Sequence, residues 1–370
     1  MNIVYLLFSF TVGGTEKLVT DICSEMSRSG HHVHLYIVNK HYDKQMLERL
    51  PSGVTVTCRN RAVGSGSKWK EMLALFQYCK KYHIDVVHCN SLDAPELLLA
   101  TKLFVPKLKV VYTVHGMNQY ATLNKLRVLY RNLFCSSIIA ISNSVKDDIL
   151  QQGASARKVS VVYNAIDLSK YPLQNQKRFN QDRIVIGNVA RIDSAIKGQD
   201  ILINAIGRLK DKHTITCYFA GAADGGHKDD LYQLKMLAQD AVHGSSSEIV
   251  FMGNVDDIPG FLSQIDLFVL PSRYEGFGIS LIEAMSMGIP CISSDTNGPR
   301  EIIGDHERGT LFNVNDAQDL ADQLEKIITD YPRYKKQAKT AEVFVRQNYN
   351  IENMCAQLGA IYAGTGSCHL

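Results

Sequence analysis

Twice along this chain, short apolar runs alternate with segments of helical period, and the alternation is broken once by a polar stretch. The runs at 3–8, 32–38, 54–58, 85–89, 110–114, 137–141 and 158–163 each have a length suited to one buried strand. Helical patterns fill 15–28 and 68–82, and Ser142 or Ser144 can cap another helix that ends near residue 152. Strands alternating with helices read as a doubly wound parallel sheet. The stretch from Lys170 to Asn180 is polar and aperiodic and holds Pro172, which marks a linker. The pattern then restarts, with runs at 183–189, 214–220, 249–252, 267–270 and 291–293 and amphipathic helices at 317–329 and 332–347. The expected organisation is a first α/β domain over 1–168, a linker over 169–182 and a second α/β domain over 183–350. A last helix, 351–362, follows a Tyr-Asn break. Ligands of such sheets bind at the C-terminal ends of the strands, so two domains in tandem predict a cleft lined by two such edges.

A length of 370 residues suffices for two domains of ordinary size. No apolar run approaches the length needed to cross a bilayer. The N-terminus lacks a basic region and reads as a first strand rather than a signal peptide. The nine cysteines are scattered with no Cys-x-x-Cys pair, which fits a reducing cytosol better than a disulfide framework or a zinc site. The formal charge of +3 hides an asymmetry: residues 1–168 hold 20 Lys and Arg against 12 Asp and Glu, and the remainder is net negative. Such a split suggests that the first half faces something anionic, with chance variation in surface charge as the competing reading.

The densest chemistry lies between Pro271 and Glu283, where a Gly-x-Gly turn follows an apolar run and opens a helix. A helix N-terminus after a strand offers free N–H groups and a positive dipole end to a phosphate. Glu275 would sit at the mouth of that turn, with Glu283 further in on roughly the same side. A phosphate between two separated acids suggests a nucleotide sugar. Gly13-Gly14-Thr15-Glu16 likewise opens the first helix, yet it is neither a Walker A loop nor a Rossmann fingerprint, and a purely structural turn stays open. Arg191 and Lys197 follow the first run of the second half and could neutralise a diphosphate, or be solvated surface charges. His115 ends its run just before Gly116 and could donate to a sugar hydroxyl or a carbonyl, or be an ordinary loop histidine. His88 reads as packing. No cluster has metal-ligand spacing, so no divalent ion is required. A helix over 123–134 places Leu123, Leu126, Tyr130 and Leu133 on one face, flanked by Arg127 and Arg131. It could lie on an anionic membrane or pack on its own domain.

In these motifs, and in their order, the chain resembles the family 4 glycosyltransferases of GT-B architecture, over nearly its whole length. The motifs are Gly13-Gly14-Thr15-Glu16, Val114-His115-Gly116, Ala140-Ile141-Ser142, Val162 to Asp167, Arg191 with Lys197, and the pair Glu275 and Glu283. The resemblance implies two Rossmann-like doubly wound domains facing across a cleft, with the final helix (351–370) crossing back onto the first. It implies a retaining, metal-independent transfer from a UDP- or GDP-sugar, with no cofactor. Arg191 and Lys197 would grip the donor diphosphate, with Gly14 close by. Gly276, Phe277 and Gly278 would offer backbone groups to the sugar, and Ile279 and Ser280 their N–H groups to the phosphate. Glu275 would lie beside the transferred sugar, Glu283 on the ribose, Asn254 and Val255 near the base, and His115 on the sugar from the other domain. Ser142 and Asn164 fall on the acceptor side. One departure is Asn164-Ala165 where the family has Asn-Gly; Ala disfavours positive φ. Glu275 and Glu283 lie eight residues apart, roughly 12 Å at helical rise. That is too far for the nucleophile and acid/base pair of a retaining glycosidase. The implied partners are a glycan or a lipid-diphosphate-linked acceptor in envelope polysaccharide synthesis, with no nucleic acid. The implied location is cytoplasmic, with peripheral contact to the inner face of an anionic membrane. An epimerase of similar fold and a non-catalytic nucleotide-sugar-binding subunit are the competing readings.

Overall fold

A computed structural model describes residues 1–62, 68–173, 179–223 and 226–365. Part of the expected linker, 174–178, lies outside the described residues. The chain forms two compact units, Met1–Ala165 together with Ile351–Leu370, and Ile166–Asn350.

The first unit carries β1 (Asn2–Leu7), β2 (His32–Asn39), β3 (Val54–Arg61), β4 (Val86–Cys89), β5 (Lys109–Val114), β6 (Ser137–Ala140) and β7 (Val159–Val161). Its helices are α1 (Gly14–Arg28), α2 (Lys44–Glu48), α3 (Lys68–Lys81), α4 (Leu99–Phe104), α5 (Lys125–Phe134) and α6 (Asn143–Gln151). The strands pair in parallel in the order β3-β2-β1-β4-β5-β6-β7. A parallel sheet covered by helices on both faces needs apolar side chains pointing both ways. Hence β4 is buried at every residue and β1 at all but its first. The last helix of the chain, Ile351–Ala363, belongs to this unit and packs on α1.

The second unit repeats the plan. Its strands are β8 (Ile184–Val189), β9 (Ile215–Ala220), β10 (Glu248–Gly253), β11 (Leu267–Leu270), β12 (Cys291–Ser294) and β13 (Thr310–Phe312). Its helices are α7 (Ser194–Lys197), α8 (Gln199–Leu209), α9 (Lys228–Val242), α10 (Ile258–Leu262), α11 (Ile279–Ser286), α12 (Asn297–Ile303), α13 (Ala317–Thr329) and α14 (Tyr331–Asn348). The final helix is therefore α15. The strand order β10-β9-β8-β11-β12-β13, again parallel, reverses direction between β8 and β11. β13 is absent from the sequence reading because three residues are too few to show a period.

α5 bears on a reading that the sequence leaves open. Arg131 points into the protein, and Arg127, partly exposed, is held by carboxylates of the same unit. Arg131 is fully buried and donates to Glu96, with Nη1 2.7 Å from Oε1; Arg127 donates to Glu96 at 2.9 Å and to Asp93. Tyr130 donates to the Pro95 carbonyl. A charge with a carboxylate partner at hand can be buried where a lone one cannot. The face left outside is apolar: Leu126, Leu129 and Leu133.

Candidate functional site

In a doubly wound sheet the strand order reverses at one point, and the loops leaving that point diverge to leave a crevice. In the second unit the point lies between β8, which leads to Arg191, and β11, which leads to Glu275. Asn188, fully buried, ties the two strands by donating to the Val269 carbonyl at 2.9 Å.

The loop after β8 is stitched to the loop after β11 through the backbone. The Arg273 N–H donates to the Ile196 carbonyl at 2.8 Å, and the Arg273 guanidinium grips Asp200 with two bonds of 2.7 Å each. Gly198 lies at φ +65, and a Cβ there would stand 2.1 Å from the Pro271 carbonyl oxygen, so only glycine lets the loops touch. This stitching sets Lys197 beside Glu275, Nζ to Oε2 at 2.9 Å, with both side chains mostly shielded. Arg191 stays half-exposed and reaches Asp193 at 3.2 Å. Asp193 is buried and also caps α7 by accepting from Ile196. Asp193, Asp200 and Arg273 carry no signal in the sequence: Asp193 lies two residues from Arg191 in a loop, and Asp200 lies 73 residues from Arg273.

α11 opens at Gly278, whose φ of +110 few other residues adopt, and no side chain caps it. The N–H groups at Ile279 and Ser280 thus form an uncapped helix N-terminus on the same side of the sheet. Gly276 and Phe277 are pressed by α12: a Cβ on Gly298 would lie 2.6 Å from their backbone. Phe277 itself is buried edge-on against Tyr349, so its side chain is core and only its backbone can meet a ligand. Glu283 sits deeper, 3% exposed, and accepts from the Tyr171 hydroxyl at 2.5 Å. The two glutamates therefore occupy different settings, one beside a lysine and one beside a tyrosine. Asn254 and Val255 follow β10, where Asn254 accepts from the Ala222 N–H at 3.2 Å.

In the first unit, the corresponding edge holds a cavity of about 290 Å³ lined by Ser9, Thr15, Glu16, Asn90, Thr113 and His115, among others. Gly13 caps α1, Gly14 begins it, and the Glu16 carboxylate folds back over Gly13, 2.5 Å from where a Cβ would stand. His115 bonds Asn90 Oδ1 at 3.0 Å through Nε2. An amide oxygen only accepts, so Nε2 carries the proton and Nδ1 is left as an acceptor. The donor role expected for His115 is thus spent on Asn90 at Nε2. Burial lowers its pKa to about 4, so it stays neutral. His88 is buried, as its packing role predicts. Tyr362 of α15 bonds its Nδ1 at 2.5 Å and Thr113 its Nε2 at 2.6 Å, and burial first, then His115, lower its pKa to about 3. Ser142 is fully buried and caps α6 by accepting from Val145. Asn164 is buried after β7, and Ala165 beside it does not take a positive φ. Among the described residues no helix is long and apolar enough to cross a membrane.

Comparisons with known proteins agree with this architecture. The model of Glycosyltransferase Family 4 matches residues 12–170, and that of Glycosyl transferases group 1 matches residues 170–344. The chain is 22% identical to N-acetyl-alpha-D-glucosaminyl L-malate synthase of Bacillus anthracis, covering 95% of this chain and 94% of that one. It is 27% identical to UDP-Gal:alpha-D-GlcNAc-diphosphoundecaprenol alpha-1,3-galactosyltransferase of Escherichia coli, covering 75% of this chain and 74% of that one. Among solved structures, Anabaena Alr3699/HepE in complex with UDP and glucose superposes with a TM-score of 0.83 at 23% identity, covering 98% of this chain and 99% of that one. With a family 4 domain followed by a group 1 domain, each on its own parallel sheet, the chain belongs to the family 4 glycosyltransferases of GT-B fold.

Proposed function

We propose that this glycosyltransferase moves a sugar from a UDP- or GDP-sugar, with retention of configuration and without a metal, to a hydroxyl of a glycan or lipid-linked acceptor. The second unit takes the donor and the first the acceptor. The observation that carries the reading is the second unit's switch point, where Lys197, Glu275, Arg191 and the uncapped start of α11 gather on one sheet edge. A leaving diphosphate needs preorganised positive charge, and two cations with a helix N-terminus supply it. Glu275 holds the Lys197 ammonium in place and lies at the mouth of the turn, where the transferred sugar would sit. Glu283, already bonded to Tyr171, would receive the ribose hydroxyls.

Glu275 and Glu283 are engaged with different partners, Lys197 and Tyr171, and do not form a nucleophile and acid/base pair, so the chemistry proposed is front-face attack. The acceptor oxygen bonds to the anomeric carbon as the bond to phosphate breaks, and the leaving phosphate oxygen takes the acceptor proton. The chain contributes orientation and charge stabilisation. His115, neutral with Nδ1 as acceptor, would hold a sugar hydroxyl. The solved neighbour that binds UDP and glucose, and the relative named for a diphosphoundecaprenol substrate, support this choice of donor and acceptor class. A membrane-bound bacterial polysaccharide pathway, with the protein cytoplasmic and peripheral, fits the same relatives.

The test is turnover of UDP- and GDP-sugars with and without a lipid-diphosphate-linked sugar, in chelator. Transfer only when acceptor is present supports the reading. Conversion of the donor alone would make the protein an epimerase, and trapping a glycosyl-enzyme would overturn front-face attack.

A further inference from the structure

Isolated exposed leucines are ordinary on a protein surface, but clusters of large apolar side chains are not. The first unit carries such a cluster on α3 and α4. Trp69 is 76% exposed and Phe104 73%, with Leu73 and Leu103 also exposed. Trp69 and Leu73 are one helical turn apart on α3, so they share a face. α3 packs on α4, with the Phe76 and Phe104 rings 5.8 Å apart. α5 extends the cluster. Its arginines are fastened to Glu96, in the single turn that runs directly into α4, and this leaves Leu126, Leu129 and Leu133 outside.

Charge around the cluster is mostly positive, with Asp85 and Asp147 as exposed acids beyond its ends. Lys68, Lys70, Lys80, Lys107 and Lys125 are all exposed on or beside these helices. The acids nearby are engaged: Glu71 is buried against Arg59, and Asp93 and Glu96 pair with Arg127 and Arg131. A second copy of this chain would set lysines against lysines. An anionic bilayer complements both parts of the surface, taking the indole and leucines into its headgroup boundary while lysine stems reach back to phosphates.

We propose that α3, α4 and α5 form a membrane-docking platform that inserts Trp69, Leu73, Leu103, Phe104 and the α5 leucines shallowly into an anionic lipid surface. The platform deepens the lipid-linked acceptor reading, and rests on it for its purpose. Its location also differs from the sequence expectation, since the α5 arginines take no part.

Trp69 is the chain's sole tryptophan, so the emission of the full protein reports on this surface directly. Vesicles of phosphatidylcholine with phosphatidylglycerol should shift that emission to the blue and shield it from an aqueous quencher, whereas pure phosphatidylcholine vesicles should not. Leu73→Glu with Leu103→Glu should lose most co-flotation while keeping the parent's melting temperature. Leu126→Glu, on a separate helix, should weaken it independently. Flotation with unshifted emission, an equal shift on uncharged vesicles, or variants that float like the parent would each overturn the proposal. So would self-association through this face that the same substitutions abolish. Turnover on a water-soluble acceptor analogue separates this failure from failure of the transferase reading, because it needs no lipid surface.

Discussion

Lys197 and Glu275 are 78 residues apart in sequence and 2.9 Å apart in the structure. Each is a plain charged residue when read along the chain, and their pairing depends on a backbone bond from Arg273 to Ile196 that no periodicity announces. Under the proposed function Lys197 meets the charge of the leaving diphosphate, so Lys197→Ala should cost about 10²–10³-fold in kcat/KM, with unchanged melting temperature within a few degrees. Arg191→Ala should act in the same direction, and steady-state kinetics on both checks it. Glu275→Gln that kept near-full transfer would reduce the carboxylate to a minor role. Histidine gives a second prediction at this scale. His88 and His115 have folded pKa values of about 3 and about 4, below the roughly 6.5 of an unfolded histidine. Below 6.5 the unfolded chain therefore binds more protons, so their contribution to stability is complete above that pH. It declines as pH falls, through about 4 for His115 and about 3 for His88. Thermal melts of His88→Gln should show a flatter decline from pH 6.5 to pH 4 than the parent, and identical slopes would contradict the assignment.

Elements were legible from sequence where burial is two-sided. The runs that became β1, β4, β11 and β12 stand out because helices cover both faces of their sheets. β13 and α4 were missed, being three and six residues long. α5 is legible as a helix, but which way its arginines face is not, since their partner Glu96 comes from a single turn with no pattern of its own. Close contact between elements yields two predictions. Gly298→Ala pushes a Cβ into the backbone of Gly276 and Phe277, and overpacking of this kind costs about 1–3 kcal/mol. Chemical denaturation should show that loss, together with weaker donor binding, because the displaced segment leads into α11. Tyr362→Phe removes the hydroxyl that joins α15 to His88 and Tyr5, leaving buried polar groups short of a partner. A loss of about 1–3 kcal/mol is expected. Lower affinity for acceptor but not for donor should accompany it, because His88 also holds Thr113 in the first unit's cavity.

At the scale of the molecule, one plan occurs twice, and each copy puts its polar groups where its strand order reverses. The repeat was readable because alternation restarts after the polar stretch. The first unit in the structure comprises Met1–Ala165 and Ile351–Leu370, where the sequence points to 1–168 with the helix 351–370 crossing back onto it. The cap at Ser142 was legible, but side-chain partners were harder to read, as His115 bound to Asn90 and Glu283 bound to Tyr171 illustrate. A ligand that binds only the folded protein stabilises it by about 2.7 kcal/mol at a hundred times its Kd. Melting temperatures across a panel of UDP- and GDP-sugars, for the parent and for Arg191→Ala with Lys197→Ala, therefore show whether a nucleotide sugar is held at Arg191 and Lys197. At least one nucleotide sugar should raise the parent's melting temperature, and the double variant should lose the rise. Stabilisation by none of them, or an equal rise in the variant, would contradict donor binding at these residues.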